Sequence, residues 1–329
     1  MTTQPSYVVG IDIGGTKIFS GVIDKNGKVY ATAKTKTLAS QGFEVSFKRI
    51  TECVEMAIAN ANLTLDDIRA IGVGSPGPLD IKNGVVIETP NLKWKNIPLK
   101  ARIQEAFGKP VKVDNDVNTG TYGELIFGAG KGVTDMIGLF VGTGLGGGVI
   151  IDGKLLHGFN QNAGELGHVI IQAEGERCEC GVRGHLEAYV SKTGIEKKIQ
   201  AEMKNGRETS IKKKLKGHDG PIKSSWLAKA YFKGDKVVMK AVNRSARYLG
   251  YAVASFLNVF NPEMVVLGGG VVESMGKEYI DQVIKVTREN VFPVAFKNVK
   301  IVPAALGDNS VILGASVLAF EALAENRTE

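Results

Sequence analysis

A chain of 329 residues with 43% hydrophobic and 23% charged side chains is ordinary for a globular protein, which excludes disordered, collagenous and membrane-embedded classes and allows two domains with a substantial core. A formal charge of +7 raises nucleic acid as a partner, but much of the excess falls in 197–216, where Lys197, Lys198, Lys204, Arg207, Lys212, Lys213, Lys214 and Lys216 alternate with Glu and Gln, the pattern of a solvated helix and loop. Residues 1–6 form no basic lead into an apolar run, and three cysteines, two of them at 178 and 180, do not make a disulfide framework; a reduced cytoplasmic setting without membrane or nucleic acid is expected.

The first predicted elements are a strand ending in GIDIGGT (10–16), a second strand over 18–24 and a tight turn at Lys25-Asn26-Gly27-Lys28. Phe47, Ile50, Val54, Ile58 and Ala61 recur at helical spacing, with Cys53 on the apolar face as a core residue; 68–73 and 111–113 read as short strands. Then GLFVGTG (138–144), a strand over 146–151 and a turn at Asp152-Gly153-Lys154 repeat the opening layout. The repetition points to two lobes on one plan, and strands alternating with helices to an α/β fold. Helices are predicted near 186–201, through Val238 to Leu257 with a stop at Asn261-Pro262, over 273–290 and near 310–324, with strands at 264–267 and 299–302. The chain is expected to pass between lobes near 114–118 and again near 306–310.

Four groups of residues carry chemistry. The turns at Gly14-Gly15-Thr16 and Gly142-Thr143-Gly144 present backbone N–H groups that a phosphate can approach, and two equivalent turns suit a polyphosphate. Neither has the Lys-Ser/Thr ending of a P-loop, and a strand rather than a helix follows each. Asp12 is either a turn-capping residue or a holder of Mg²⁺ through water. Asp114, Asn115, Asp116 and Asn118 crowd the end of a strand, where Asp116 is either a helix N-cap or a general base with Asn115 orienting a hydroxyl. His168, Cys178, Cys180 and His185 supply four ligands suited to a structural Zn²⁺. His157 and His218 have no such company and read as surface.

In order, Asp12–Thr16, Gly72–Pro78, Asn115–Asn118, Gly142–Gly144 with Gly146–Gly148, Ala163–His168, Cys178–Gly181 and Gly268–Gly270 resemble the ROK family of bacterial sugar kinases and sugar-responsive repressors, over nearly the whole chain. The resemblance implies a two-lobed actin-like (ribonuclease H-like) ATPase fold. Its small lobe would be 1–115, completed by 308–329, and its large lobe 116–307. It implies an ATP-dependent kinase acting on the 6-hydroxyl of a hexose, with glucose the first choice and N-acetylmannosamine, N-acetylglucosamine, mannose and fructose as alternatives. Asp116 would be the base, and Asn91, Asn115, Asp116, Glu165, His168 and Glu187 would bind the sugar. Asp12, Gly14, Gly15, Thr16, Lys17, Gly142, Thr143, Gly144, Gly268, Gly269 and Gly270 would hold MgATP. His168, Cys178, Cys180 and His185 would hold zinc, His185 standing where the family usually has a third cysteine. A homodimer or higher homo-oligomer is the expected assembly. The repressors carry a helix-turn-helix ahead of the first motif, for which the nine residues 1–9 leave no room, so a kinase is expected.

Overall fold

A computed structural model of the chain describes residues 6–89, 91–215 and 222–325; His218 and Lys216 lie outside them. In chain order the elements begin with β1 (Tyr7–Ile13), β2 (Lys17–Asp24), β3 (Val29–Lys36), α1 (Phe43–Asn60) and β4 (Ile68–Ser75). A small three-stranded sheet follows, made of β5 (Leu79–Asp80), β6 (Val85–Thr89) and β7 (Trp94–Ile97), then α2 (Leu99–Phe107), β8 (Val111–Asn115) and α3 (Asp116–Phe127). Next come β9 (Met136–Val141), β10 (Leu145–Ile151), β11 (Lys154–Leu155), α4 (Glu187–Val190), α5 (Lys192–Lys204), α6 (Lys212–Leu215), α7 (Ser224–Phe232) and α8 (Lys236–Phe260). The chain ends with β12 (Met264–Gly268), α9 (Gly270–Met275), α10 (Lys277–Asn290), β13 (Lys300–Pro303) and α11 (Ser310–Glu325).

Two compact units emerge. The first holds residues to Gly132, a short excursion over Leu155–Ala163, and the chain from Ala305 onward; the second holds Val133–Lys154 and Gly164–Ala304. α3 packs along α11 and belongs to the first unit. Apart from the excursion over Leu155–Ala163, the chain leaves that unit after Gly132 and returns at Ala305.

The repeated plan is visible in strand order. The first unit's main sheet runs β3-β2-β1-β4-β8, antiparallel through β3, β2 and β1 and parallel through β1, β4 and β8. The second unit's sheet runs β11-β10-β9-β12-β13, again antiparallel between β10 and β9 and parallel through β9, β12 and β13.

Alternation along β1 sorts its side chains between two faces of the sheet. Val9, Ile11 and Ile13 are fully buried and join Ile50, Cys53, Val54 and Ala57 of α1 in one core. The opposite face carries Val8, Gly10 and Asp12. There α11 lies so close that a Cβ on Gly10 would stand 2.0 Å from Ile312 O, and one on its neighbour Gly72 1.7 Å from Ala315 O. On its other flank, α11 meets α3 at Gly314, where a Cβ would stand 1.7 Å from Thr119 O. Glycine is therefore what lets a helix backbone touch both a sheet and a second helix here.

Two helices are broken where the periodicity suggested continuity. Ser191, with ψ 163°, separates α4 from α5 and caps the second by accepting from Gly194 N. Gly276, with φ 62°, separates α9 from α10. The stop at Asn261 is as expected, a left-handed residue with φ 47° closing α8.

Candidate functional site

Within the first unit, strand register brings one group of candidate residues together. Asp12 of β1 pairs with Gly74 of β4, and Gly74 with Asp114 of β8. A Cβ on Gly74 would stand 2.5 Å from Val311 Cγ1 and 3.4 Å from Asp116 Cα, so the glycine lets α11 and the start of α3 close on the sheet. The Asp12 and Asp116 carboxyl groups interact electrostatically. Burial first, and the Asp116 charge second, push the Asp12 carboxyl up to about 7, against the opposing effect of Lys17.

Asp116 is the first residue of α3, not its cap. The capping side chain is Asn115, whose Oδ1 accepts from Val117 N at 2.9 Å and Asn118 N at 3.2 Å. The side-chain oxygen of Asn115 is thus engaged by the helix, and Asp116 Oδ1 also accepts from Val117 N, at 3.0 Å. Asp114 is 1% exposed and accepts from Asn115 N at 2.7 Å and Asn118 Nδ2 at 3.1 Å. Its second oxygen takes a bond from a residue that the sequence placed at the surface: His157 Nε2 lies 2.7 Å away and the ring is half-buried. The pairing holds the imidazole above its ordinary pKa.

The first glycine turn is a closed hairpin. Gly14 N donates to Lys17 O at 2.9 Å and Gly14 O accepts from Thr37 Oγ1 at 2.6 Å. Gly15 lies beside Asn91, 3.4 Å from its Cβ if a methyl is added, so two of the expected residues do come together. Lys17 and Lys34 both reach Asp308 Oδ2, at 3.3 and 3.2 Å. Lys34, Asp308 and His157 were missed because their partners are remote in sequence. So was Glu124, a fully buried carboxylate that accepts from Ala129, Ala305 and Leu306 N–H groups where the chain re-enters this unit.

In the second unit, His168, Cys178, Cys180 and His185 have ligand atoms all within 4.8 Å of one another. Two thiols and two imidazoles at that spacing fit a tetrahedral divalent ion such as Zn²⁺. His168 Nδ1 faces His185 Nδ1 at 3.1 Å, and its Nε2 faces Glu165 at 3.9 Å, so the ring presents one nitrogen to the cluster and one to that exposed carboxylate. Burial and the Glu187 carboxylate push the Cys178 thiol up to about 12; a cation in the cluster reverses that by favouring thiolate. Glu187 joins the cluster to the second glycine turn: Cys178 Sγ donates to its Oε1 at 3.2 Å, and its Oε2 accepts from Leu145 N at 2.9 Å. A Cβ on Gly144 would collide with that oxygen at 2.4 Å. The turn is braced from behind by Lys192 N and Thr193 Oγ1, which donate to Gly142 O and Thr143 O at 3.0 Å each. At Gly268–Gly270 the glycines permit close passage, since a Cβ on Gly269 would lie 2.7 Å from Val141 N. No helix among the described residues is long and apolar enough to cross a membrane.

Comparison with known proteins agrees with this geometry. A family model described as the ROK family matches residues 8–322. A glucokinase from Thermotoga maritima is 33% identical over 315 residues, covering 95% of this chain and 97% of the relative. A xylose repressor from Caldicellulosiruptor bescii is also 33% identical, over 93% of this chain but 76% of its own length. Among solved structures, the ROK hexokinase of Thermus thermophilus superposes with a TM-score of 0.81 at 32% identity, covering 97% and 99% of the two chains. The ROK glucokinase of Streptomyces griseus, solved in complex with glucose and AMPPNP, gives 0.80 at 31% identity over 96% and 99%. With the strand order duplicated, the two glycine turns in equivalent places and the family model running almost end to end, the chain belongs to the ROK family and has its two-domain actin-like fold.

Proposed function

We propose that this ROK sugar kinase transfers the γ-phosphoryl group of ATP to the 6-hydroxyl of a hexose, with glucose the favoured acceptor, in the cytoplasm. The observation that carries the reading is that Asp116 opens α3 close enough to Asp12 for the two carboxyl groups to interact, while Asn115 caps the helix. As general base, the Asp116 carboxylate accepts the hydroxyl proton as the oxygen attacks phosphorus in line.

Asn91, Glu165, His168 and Glu187 bind sugar hydroxyls, each carboxylate or amide bridging donors and acceptors on the ring. Asn115 contributes through its amide nitrogen, its oxygen being committed to α3. The ATP phosphates rest on Gly14, Gly15, Thr16 and Lys17 and on Gly142, Thr143 and Gly144, with the adenosine by Gly268, Gly269 and Gly270. Asp12 is placed to hold Mg²⁺, which supplies charge neutralisation at the phosphates. Zinc, held by His168, Cys178, Cys180 and His185, supplies structural support by fixing the ring of His168.

The test is a coupled ADP-release assay over glucose, N-acetylmannosamine, N-acetylglucosamine, mannose and fructose, run on the wild type and on Asp116→Asn. The variant is expected to lose about 10²–10⁴-fold in kcat. Near-full activity would remove Asp116 from the mechanism. The similarity to xylose repressors supports a second reading, a sugar-responsive DNA-binding protein. Sequence-specific retardation of DNA at physiological salt, with no ADP release on any sugar, would favour it.

A further inference from the structure

The excursion over Leu155–Ala163 takes nine residues back into the first unit and then returns the chain to the second at Gly164, one residue before Glu165. Its fixed point is His157. The main chain of that residue closes the loop, His157 O accepting from Ala163 N at 2.9 Å, while Gln161 Oε1 takes a bond from Lys82 N. The imidazole meets Asp114, an almost fully enclosed carboxylate.

A buried carboxylate needs a counter-charge or a full set of donors. Asp114 Oδ1 has two donors, Asn115 N and Asn118 Nδ2, but Oδ2 has His157 as its cation. The nearby ammonium is engaged elsewhere: Lys112 of β8 pairs with Glu321 and Glu325 of α11 at 2.9 and 2.8 Å. Tyr122 of α3 donates to the other oxygen of Glu321 at 2.7 Å. The charged groups facing the imidazole are therefore Asp114 and Lys112 from β8 and Glu321 from α11. Asp114 in turn holds the backbone of Asn115 and the side chain of Asn118, one residue before and two residues after Asp116.

We propose that His157 is a positioning residue for phosphoryl transfer: as imidazolium it fixes Asp114, and through Asp114 the Asn115–Asn118 turn that aims the Asp116 carboxylate. The inference rests on Asp116 being the base. Because the pairing raises the folded-state pKa of the imidazole, the lock is complete at low pH and is released as pH rises through that raised value. Release of the lock thus sets the alkaline limb of kcat, on the opposite side from protonation of the base.

The experiment measures kcat and KM for sugar and ATP from acid to alkaline pH in the wild type, His157→Gln, His157→Lys and Asp116→Asn. His157→Gln keeps a hydrogen bond without the charge; it is expected to lose about 10–100-fold in kcat, the scale of a small misplacement of a reacting group, with KM values little changed and the alkaline limb abolished. His157→Lys restores a cation, and is expected to recover kcat in part and move the alkaline limb upward. Should Asp116→Asn keep its activity, the reading of the base fails. Should Asp116→Asn lose activity while His157→Gln retains wild-type kcat and pH profile, the positioning role alone is overturned. A His157→Gln variant with a lower melting temperature but unchanged kcat overturns it equally. The imidazole can also be read directly by NMR titration, where Asp114→Asn is expected to bring its pKa down toward that of a free histidine; no change would refute the pairing.

Discussion

Replacing Asp12 by Asn tests the electrostatics of the first unit without reference to any sugar. An aspartate carboxyl titrates near 3.8 in the unfolded chain and, by burial and the Asp116 charge, near 7 in the folded one. An acid whose folded pKa is raised binds its proton more tightly when folded, so stability is lost as pH rises from the unfolded value to the folded one. The shift corresponds to a total cost on the order of 4 kcal/mol, of which about 2–3 kcal/mol accrues between about pH 5 and pH 8. Asn cannot ionise, so the variant escapes that cost. Urea unfolding of the two proteins across this range isolates the Asp12 contribution as the difference between their curves: Asp12→Asn is expected to gain on the wild type steadily as pH rises. Parallel curves would show that the carboxyl titrates normally and that the Asp12–Asp116 interaction is negligible.

Two further outcomes follow from the geometry. Purified protein should carry zinc measurable by elemental mass spectrometry, and Cys180→Ser should lose most of it while Asp116→Asn keeps it; equal metal content in the two variants would remove the His/Cys cluster as the site. Gly314→Ala places a methyl carbon against Thr119 O and should destabilise the chain by about 1–3 kcal/mol in urea unfolding. A loss under about 0.5 kcal/mol would mean that α3 and α11 can separate at little cost.

The sequence made the duplicated plan legible because hairpin turns and glycine runs are local signals. Gly10, Ile11 and Asp12 are read in a single window, as are their counterparts at 138–144. The His/Cys cluster was legible for the same reason, with Cys178, Cys180 and His185 close in the chain. What escaped depends on register and on long-range packing. Nothing in the neighbourhood of His157 announces a partner in β8, and the surface reading failed because Asp114 reaches it only after the sheet forms. Glu124 sits in mid-helix with no local acceptor signal; its role appears when Ala305 and Leu306 arrive. The breaks at Ser191 and Gly276 were hidden because apolar periodicity continues across them. The choice for Asp116 between helix cap and base stayed open for a different reason, since adjacent polar residues at a helix start compete for the cap and only geometry gives it to Asn115.

The contact of α11 with Gly10 and Gly72 also bears on the order in which the molecule is made. α11 is synthesised after the whole second unit yet covers β1 and β4, which precede that unit, so these strands wait with one face bare during synthesis of what lies between. Residues 133–304, apart from the short excursion, make up the other unit and all precede α11 in the chain. The first unit is thus completed only by a segment made after the second, and its uncovered strands meanwhile present an apolar face that invites aggregation or capture by a chaperone.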